Sequence, residues 1–113
     1  MLSSARVVPT LAVTDLERAR RFYEDKLGLE IEMEVAETIR FRCGGGTGLS
    51  IFERPMTPID RTVAGFEVDN IEAEVAELRN SGVDVEGVIE APGAPPRAYI
   101  KDPDGNIIGM RQV

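Results

Sequence analysis

Residues 11–17 and 66–72 carry one pattern 55 positions apart: Leu11-Ala12-Val13 stands over Phe66-Glu67-Val68, and Asp15-Leu16-Glu17 over Asn70-Ile71-Glu72. Each copy ends a short apolar run at an Asp or Asn able to accept the free amide hydrogens of a helix start, with an acid in the first turn. Gly28 and Gly82, within one residue of the same offset, close the two helices. A shift near half the chain marks an internal duplication, which restricts the fold to two similar halves.

In the first half, residues 7–13 are apolar and β-branched and predict a strand, with Pro9 at an edge or bulge near its start. Leu16, Ala19, Phe22, Tyr23 and Leu27 recur at helical spacing and predict an amphipathic helix that ends at Gly28, with Phe22 and Tyr23 in the core. Leu29, Ile31, Met33 and Val35 then alternate with Glu30, Glu32 and Glu34, the period of a strand with three carboxylates on one face. Residues 38–43 and 49–52, separated by Gly44-Gly45-Gly46, predict a hairpin.

The second half repeats the order. Strands are expected over 63–68, 83–89, 97–101 and 107–112, a helix from Ile71 to about Gly82, a long turn over 91–96 and a tight turn over 102–106. The expectation is an α+β fold of two tandem βαβββ modules, about 5–54 and 62–113, joined by a proline-containing linker at about 55–61. A chain of 113 residues leaves no room for two independent cores, so one domain is expected.

Charge narrows the partners. With 20 acidic and 13 basic residues, a net charge of -7 repels nucleic-acid phosphates and anionic lipid, and would suit a cationic ligand. Cys43 is the single cysteine, which excludes an intrachain disulfide and a cysteine zinc site and fits a reducing compartment. The first residues lack the apolar core of a signal peptide, and no apolar stretch nears ~18 residues, so a cytoplasmic protein with no membrane contact is expected.

The run Val13-Thr14-Asp15-Leu16-Glu17-Arg18-Ala19, then Phe22-Tyr23 and Leu27-Gly28-Leu29, together with Asp102-Pro103-Asp104-Gly105-Asn106 before a last strand, resembles the vicinal oxygen chelate superfamily. That superfamily includes the glyoxalases, bleomycin resistance proteins and extradiol dioxygenases, and the resemblance spans about the whole chain. It implies modules curled into mixed sheets around one cleft, a small-molecule ligand and a homodimer.

The resemblance also implies a divalent metal held by His, Gln or Glu on the first and last strands of each module. Here those positions fall on Val8, Val63, Gly109 and either Ile51 or, with a one-residue slip, Ser50. Only the serine is a donor, and the chain has no histidine, so these are vestigial metal positions; no metal, no cofactor and no catalytic residue are expected. Whether the chain is an enzyme stays open, with the balance against it. The function expected is a metal-free binding protein that sequesters an antibiotic or toxic metabolite; the alternative is a lyase, isomerase or dioxygenase-like enzyme acting on a small carbonyl compound.

If Val8 and Val63 face the cleft, period two brings Thr10, Ala12, Gly65, Glu67, Ile107 and Arg111 to the same side. Glu67 and Arg111 are the leading candidate ligand contacts, with exposed or ion-paired roles as the other reading, and Thr10 and Tyr99 complete the candidate set. Glu30, Glu32 and Glu34 form a solvated face or, should they line the cleft, an acidic groove. Cys43 has no histidine to activate it as a nucleophile.

Overall fold

In the computed structural model, which describes residues 2–4, 6–55 and 61–113, the chain falls into two compact units, residues 1–57 and 58–113. Most of the expected linker, residues 56–60, lies outside the described residues.

The first unit runs β1 (Thr10–Val13), α1 (Leu16–Arg20), a π-helical turn (Arg21–Lys26), β2 (Glu30–Val35), β3 (Thr38–Arg42) and β4 (Gly48–Glu53). Its sheet has the order β1-β4-β3-β2, with β1 parallel to β4 and the other pairs antiparallel. The second unit runs β5 (Thr62–Val68), α2 (Ile71–Asn80), β6 (Ile89–Ala91), β7 (Ala94–Lys101) and β8 (Ile107–Gln112). Its order, β5-β8-β7-β6, repeats the first, again with one parallel pair. The fold is α+β, two βαβββ modules each built on an open four-stranded mixed sheet.

The duplication reaches the hydrogen bonds at the helix starts. Asp15 accepts from the Arg18 N–H at 3.1 Å and Asn70 from the Ala73 N–H at 3.2 Å. The first helical N–H is in each case accepted by a side chain from the end of the parallel partner strand: Leu16 by Glu53 Oε1 at 2.8 Å and Ile71 by Gln112 Oε1 at 3.0 Å. Two of the four orphan donors of each helix are therefore satisfied in the same way, which fixes helix to sheet.

One face of each sheet packs on its helix. Leu11, Val13, Ile39, Phe41, Leu49 and Ile51 meet Ala19, Phe22 and Tyr23 in the first unit, and all are buried. Ala98, Ile100, Ile108 and Met110 share the second core with Ile71 and Val75. Each large apolar side chain removed from water contributes about 1.5–3 kcal/mol.

Four expectations need correction. The first strand begins at Thr10 rather than residue 7, because Pro9 has no N–H to give a ladder; its carbonyl still accepts from Ser50 N–H at 2.8 Å. The single helix expected up to Gly28 is α-helical only to Arg20, after which Leu27 N–H reaches back to Phe22 O at 3.0 Å. This wider turn goes with burial of both Phe22 and Tyr23, whose rings meet edge-on at 5.2 Å.

No strand spans 83–89. Buried Val83 and Val85 alternate with exposed neighbours as strand residues would, but this segment is held by the Arg79 guanidinium, which donates to Val85 O at 2.7 and 3.2 Å. The long turn expected over 91–96 is the two-residue turn Pro92-Gly93, with Gly93 at φ +77°, the left-handed setting glycine reaches without strain. Strand β7 consequently starts at Ala94 and carries Pro95 and Pro96 where only the edge strand β6 lies beside it.

No helix among the described residues is long and apolar enough to cross a membrane.

Candidate functional site

The open face of the second sheet gathers three of the four candidate contacts, Glu67, Tyr99 and Arg111. Cross-strand partners are Arg97 with Arg111, Tyr99 with Gly109 and Lys101 with Ile107, while Glu67 stands beside Arg111 on the parallel neighbour. Their strand neighbours Ala98, Ile100, Ile108 and Met110 are buried on the helix side, so alternation puts Arg97, Tyr99, Lys101, Gly109, Arg111 and Glu67 on the opposite side. Glu67 Oε2 accepts from Arg111 Nη2 at 2.6 Å. The two residues singled out as separate ligand contacts are thus each other's ion-pair partner.

Gly109 adds no side chain to this face. A Cβ placed there would stand 3.5 Å from Tyr99 Cε1 and 3.5 Å from Thr62 Cγ2, so the phenol ring lies against the position from which a metal ligand would project. Tyr99 remains 41% exposed. Val63 falls in an irregularity of the β5–β8 register between Thr62 and Ala64 and is half-buried.

On the open face of the first sheet, Thr10 sits beside Ser50 and Ala12 beside Phe52. Ile51 is fully buried on the helix side of the sheet; of the two residues named for this position, the one facing the open side is Ser50, whose Oγ accepts from Arg40 Nε at 3.4 Å. Val8 precedes β1, half-buried near Gly48.

Metal donors therefore do not fit the positions implied by the resemblance, which hold two valines, a glycine and a serine engaged with an arginine. Among the described residues, no three acidic or cysteine side chains converge as a cation site.

The expected row of three glutamates is broken by a bulge. Pairing steps from Ile31–Phe41 to Met33–Arg40, so Glu32 is the extra residue and the parity of the strand changes after it. Glu30 lies opposite Arg42 and pairs with it at 2.9 Å. Glu34 lies opposite buried Ile39, on the helix side, and pairs with Arg20. Glu32 pairs with Arg6 at 3.3 Å. Each carboxylate has its own arginine, and the acidic groove does not form.

Arg6 reaches Glu32 over Gly48, where a Cβ would stand 2.7 Å from Arg6 Nη2 and 3.2 Å from Phe41 O. The hydrogen bond from Arg6, opposed by desolvation and aided by the charges of Arg6, Arg42 and Arg40, holds the Glu32 carboxyl below the usual carboxylate range. Glu32 Oε2 is shielded from solvent and, among the described residues, has no hydrogen-bond partner. The Glu34 hydrogen bond chiefly raises the Arg20 pKa, and burial pushes the Cys43 thiol up, which keeps it protonated and weakly nucleophilic.

A recess missed by the sequence reading, of about 740 Å³, is lined by Thr14, Glu37, Phe52, Glu53, Arg54 and Pro55. The Arg54 guanidinium lies over the Phe52 ring at 5.2 Å. No local motif marks it, because its walls come from the ends of separate strands and their turns.

A sequence model of the Glyoxalase/Bleomycin resistance protein/Dioxygenase superfamily matches residues 5–110. No match was found among curated proteins. Among solved structures, TnmS3, an antibiotic-binding protein from Streptomyces sp. CB03234, is 28% identical with a TM-score of 0.84, covering 99% of this chain and 98% of its own. A glyoxalase/bleomycin resistance protein from the same organism is 27% identical with a TM-score of 0.79, over 96% of this chain and 100% of its own. A lactoylglutathione lyase from Agrobacterium tumefaciens, 23% identical with a TM-score of 0.77 over 96% and 93%, shares the fold.

Proposed function

From the premise that the chain belongs to the glyoxalase/bleomycin resistance protein/dioxygenase superfamily, we propose that it is a metal-free binding protein that sequesters a small molecule, an antibiotic or a toxic metabolite. The observation that carries this reading is the Tyr99 ring lying against Gly109, where the resemblance implies a metal ligand. Likeness to an antibiotic-binding protein supports it. The proposed ligand contacts are Tyr99 and the Glu67–Arg111 pair on the open face of the second unit and, taken separately, Thr10 on the open face of the first. Binding needs apolar area and a few orienting polar groups; the exposed Tyr99 ring offers the first and the Glu67–Arg111 pair the second.

The test is calorimetric titration with a panel of antibiotics and small metabolites, with and without a chelator, alongside elemental analysis and a search for turnover. Saturable binding unaffected by chelation, with no product formed, is expected. A stoichiometric metal with lyase or dioxygenase turnover would sink the proposal and establish the enzymatic alternative. We place the protein in the cytoplasm as a homodimer of a single cooperative domain. Light scattering should then give twice the chain mass of 12.4 kDa, and calorimetry one unfolding transition.

A further inference from the structure

The charge of the second sheet's open face opposes the charge of the chain. Overall, acids outnumber bases 20 to 13, yet among the described residues this face carries three cations, Arg97, Lys101 and Arg111, against one acid, Glu67. Glu67 is already engaged by Arg111, and among the described residues neither Arg97 nor Lys101 has an ion-pair partner. Arg97 and Arg111 are directly opposed across β7 and β8, a like-charge placement that costs stability in a sheet. Between Arg97 and Lys101 on the same strand face stands the exposed ring of Tyr99, resting on Gly109.

From this arrangement we infer that the ligand is a flat aromatic molecule bearing a carboxylate. Its ring system stacks on the exposed side of Tyr99, and its carboxylate is held by Arg97 at one edge of that ring, with Lys101 adding its charge from the other end. A planar guanidinium suits a carboxylate through two parallel N–H donors, and an aromatic ring beside it supplies apolar area at low entropic cost. A second copy of the chain is a poor occupant, because a two-fold contact would set these three cations against themselves. The inference rests on the binding role proposed above and names the ligand class for it. It replaces the cationic ligand that net charge alone suggests.

The experiment compares three probes of one shape, 2-naphthoate, 2-naphthamide and 2-naphthylmethylammonium, titrated into the wild-type chain and into Arg97→Gln and Tyr99→Leu. The expected order is naphthoate tightest, with affinity falling as salt is raised, and a loss of about tenfold or more in Arg97→Gln, the size of a lost charge-assisted hydrogen bond. Arg97→Gln should be no less heat-stable than wild type, since it removes the opposed charge, so lost binding is separable from lost folding. Tyr99→Leu should weaken all three probes. Equal or tighter binding of the amide or the ammonium, or naphthoate binding untouched by Arg97→Gln, overturns the inference while leaving a binding role standing. No binding of any of the three probes, with another panel compound bound, also overturns it. A panel that yields no ligand at all removes the binding role itself.

Discussion

The Tyr99 ring lies against Gly109 of the neighbouring strand, its Cε1 3.5 Å from the point where a Cβ would begin. That spacing is ordinary contact, and Gly109 has no positive φ, so an alanine fits. Gly109→Ala should leave stability unchanged or raise it by up to about 1 kcal/mol, since glycine in a strand is entropically unfavourable. Gly109→Glu has no such room and should lift the ring. The chain holds two tyrosines and no tryptophan, and Tyr23 is fully buried, so acrylamide quenching of tyrosine fluorescence reports on Tyr99 alone and should increase in the glutamate variant.

Glu67 and Arg111 pair at 2.6 Å with side chains 64% and 58% exposed. Solvent screening limits such a pair to under about 1 kcal/mol. Glu67→Gln should therefore shift the thermal midpoint little. It should, however, free Arg111 and tighten naphthoate binding severalfold, the reverse of the effect of Arg97→Gln. Weaker binding in Glu67→Gln would instead assign the carboxylate a direct part in holding the ligand.

Asp102 organises the turn into β8. Its carboxylate accepts from the N–H groups of Asp104 and Asn106 at 2.9 and 2.8 Å and from Asn106 Nδ2 at 2.8 Å, and both Asp102 and Asn106 are buried. Removing it takes their Asp102 acceptor from the two buried donors of Asn106 and the part-buried N–H of Asp104, so Asp102→Ala should cost about 2–4 kcal/mol in denaturant unfolding. Because Gly109 and Arg111 follow directly on β8, the same variant should also weaken binding at the open face.

Glu32 is held below the usual carboxylate range, foremost by its hydrogen bond from Arg6. A group whose folded pKa is depressed stabilises the fold above its unfolded pKa, and that contribution is lost as pH falls through the folded value. The stability advantage of wild type over Glu32→Gln should therefore be complete near neutrality and shrink to nothing in acid, below the usual carboxylate range. Gly48→Ala pushes on Arg6 Nη2 at 2.7 Å and should return the Glu32 titration toward its ordinary position, read by carboxyl NMR chemical shifts. An unchanged titration would detach the shift from the Arg6 contact.

Much of the fold was legible because duplication constrains it twice. The 55-residue repeat predicted both helix starts, and the structure shows the same cap geometry at Asp15 and Asn70. The strand expected over 97–101 keeps its alternation in β7, where Arg97, Tyr99 and Lys101 share a side. What could not be read was anything that breaks a period or depends on a distant strand. The bulge at Glu32 leaves sequence alternation intact while reversing which face Glu34 occupies. Val83 and Val85 alternate as a strand would, but the Arg79 guanidinium takes the Val85 carbonyl as its acceptor. The Glu67–Arg111 pair needs the parallel contact of β5 with β8, 44 residues apart, which follows from topology and leaves no local mark.

The bulge in β2 has one more consequence. Glu32 is supernumerary: pairing resumes at Met33 as though the residue were not there. A gene that lost this one codon would encode a strand in which every other residue keeps its partner and its side of the sheet, and only the tie to Arg6 would go. The position is a place where the chain can change length by inheritance without being repacked, and where an acid facing the open side can be added or withdrawn in a single step.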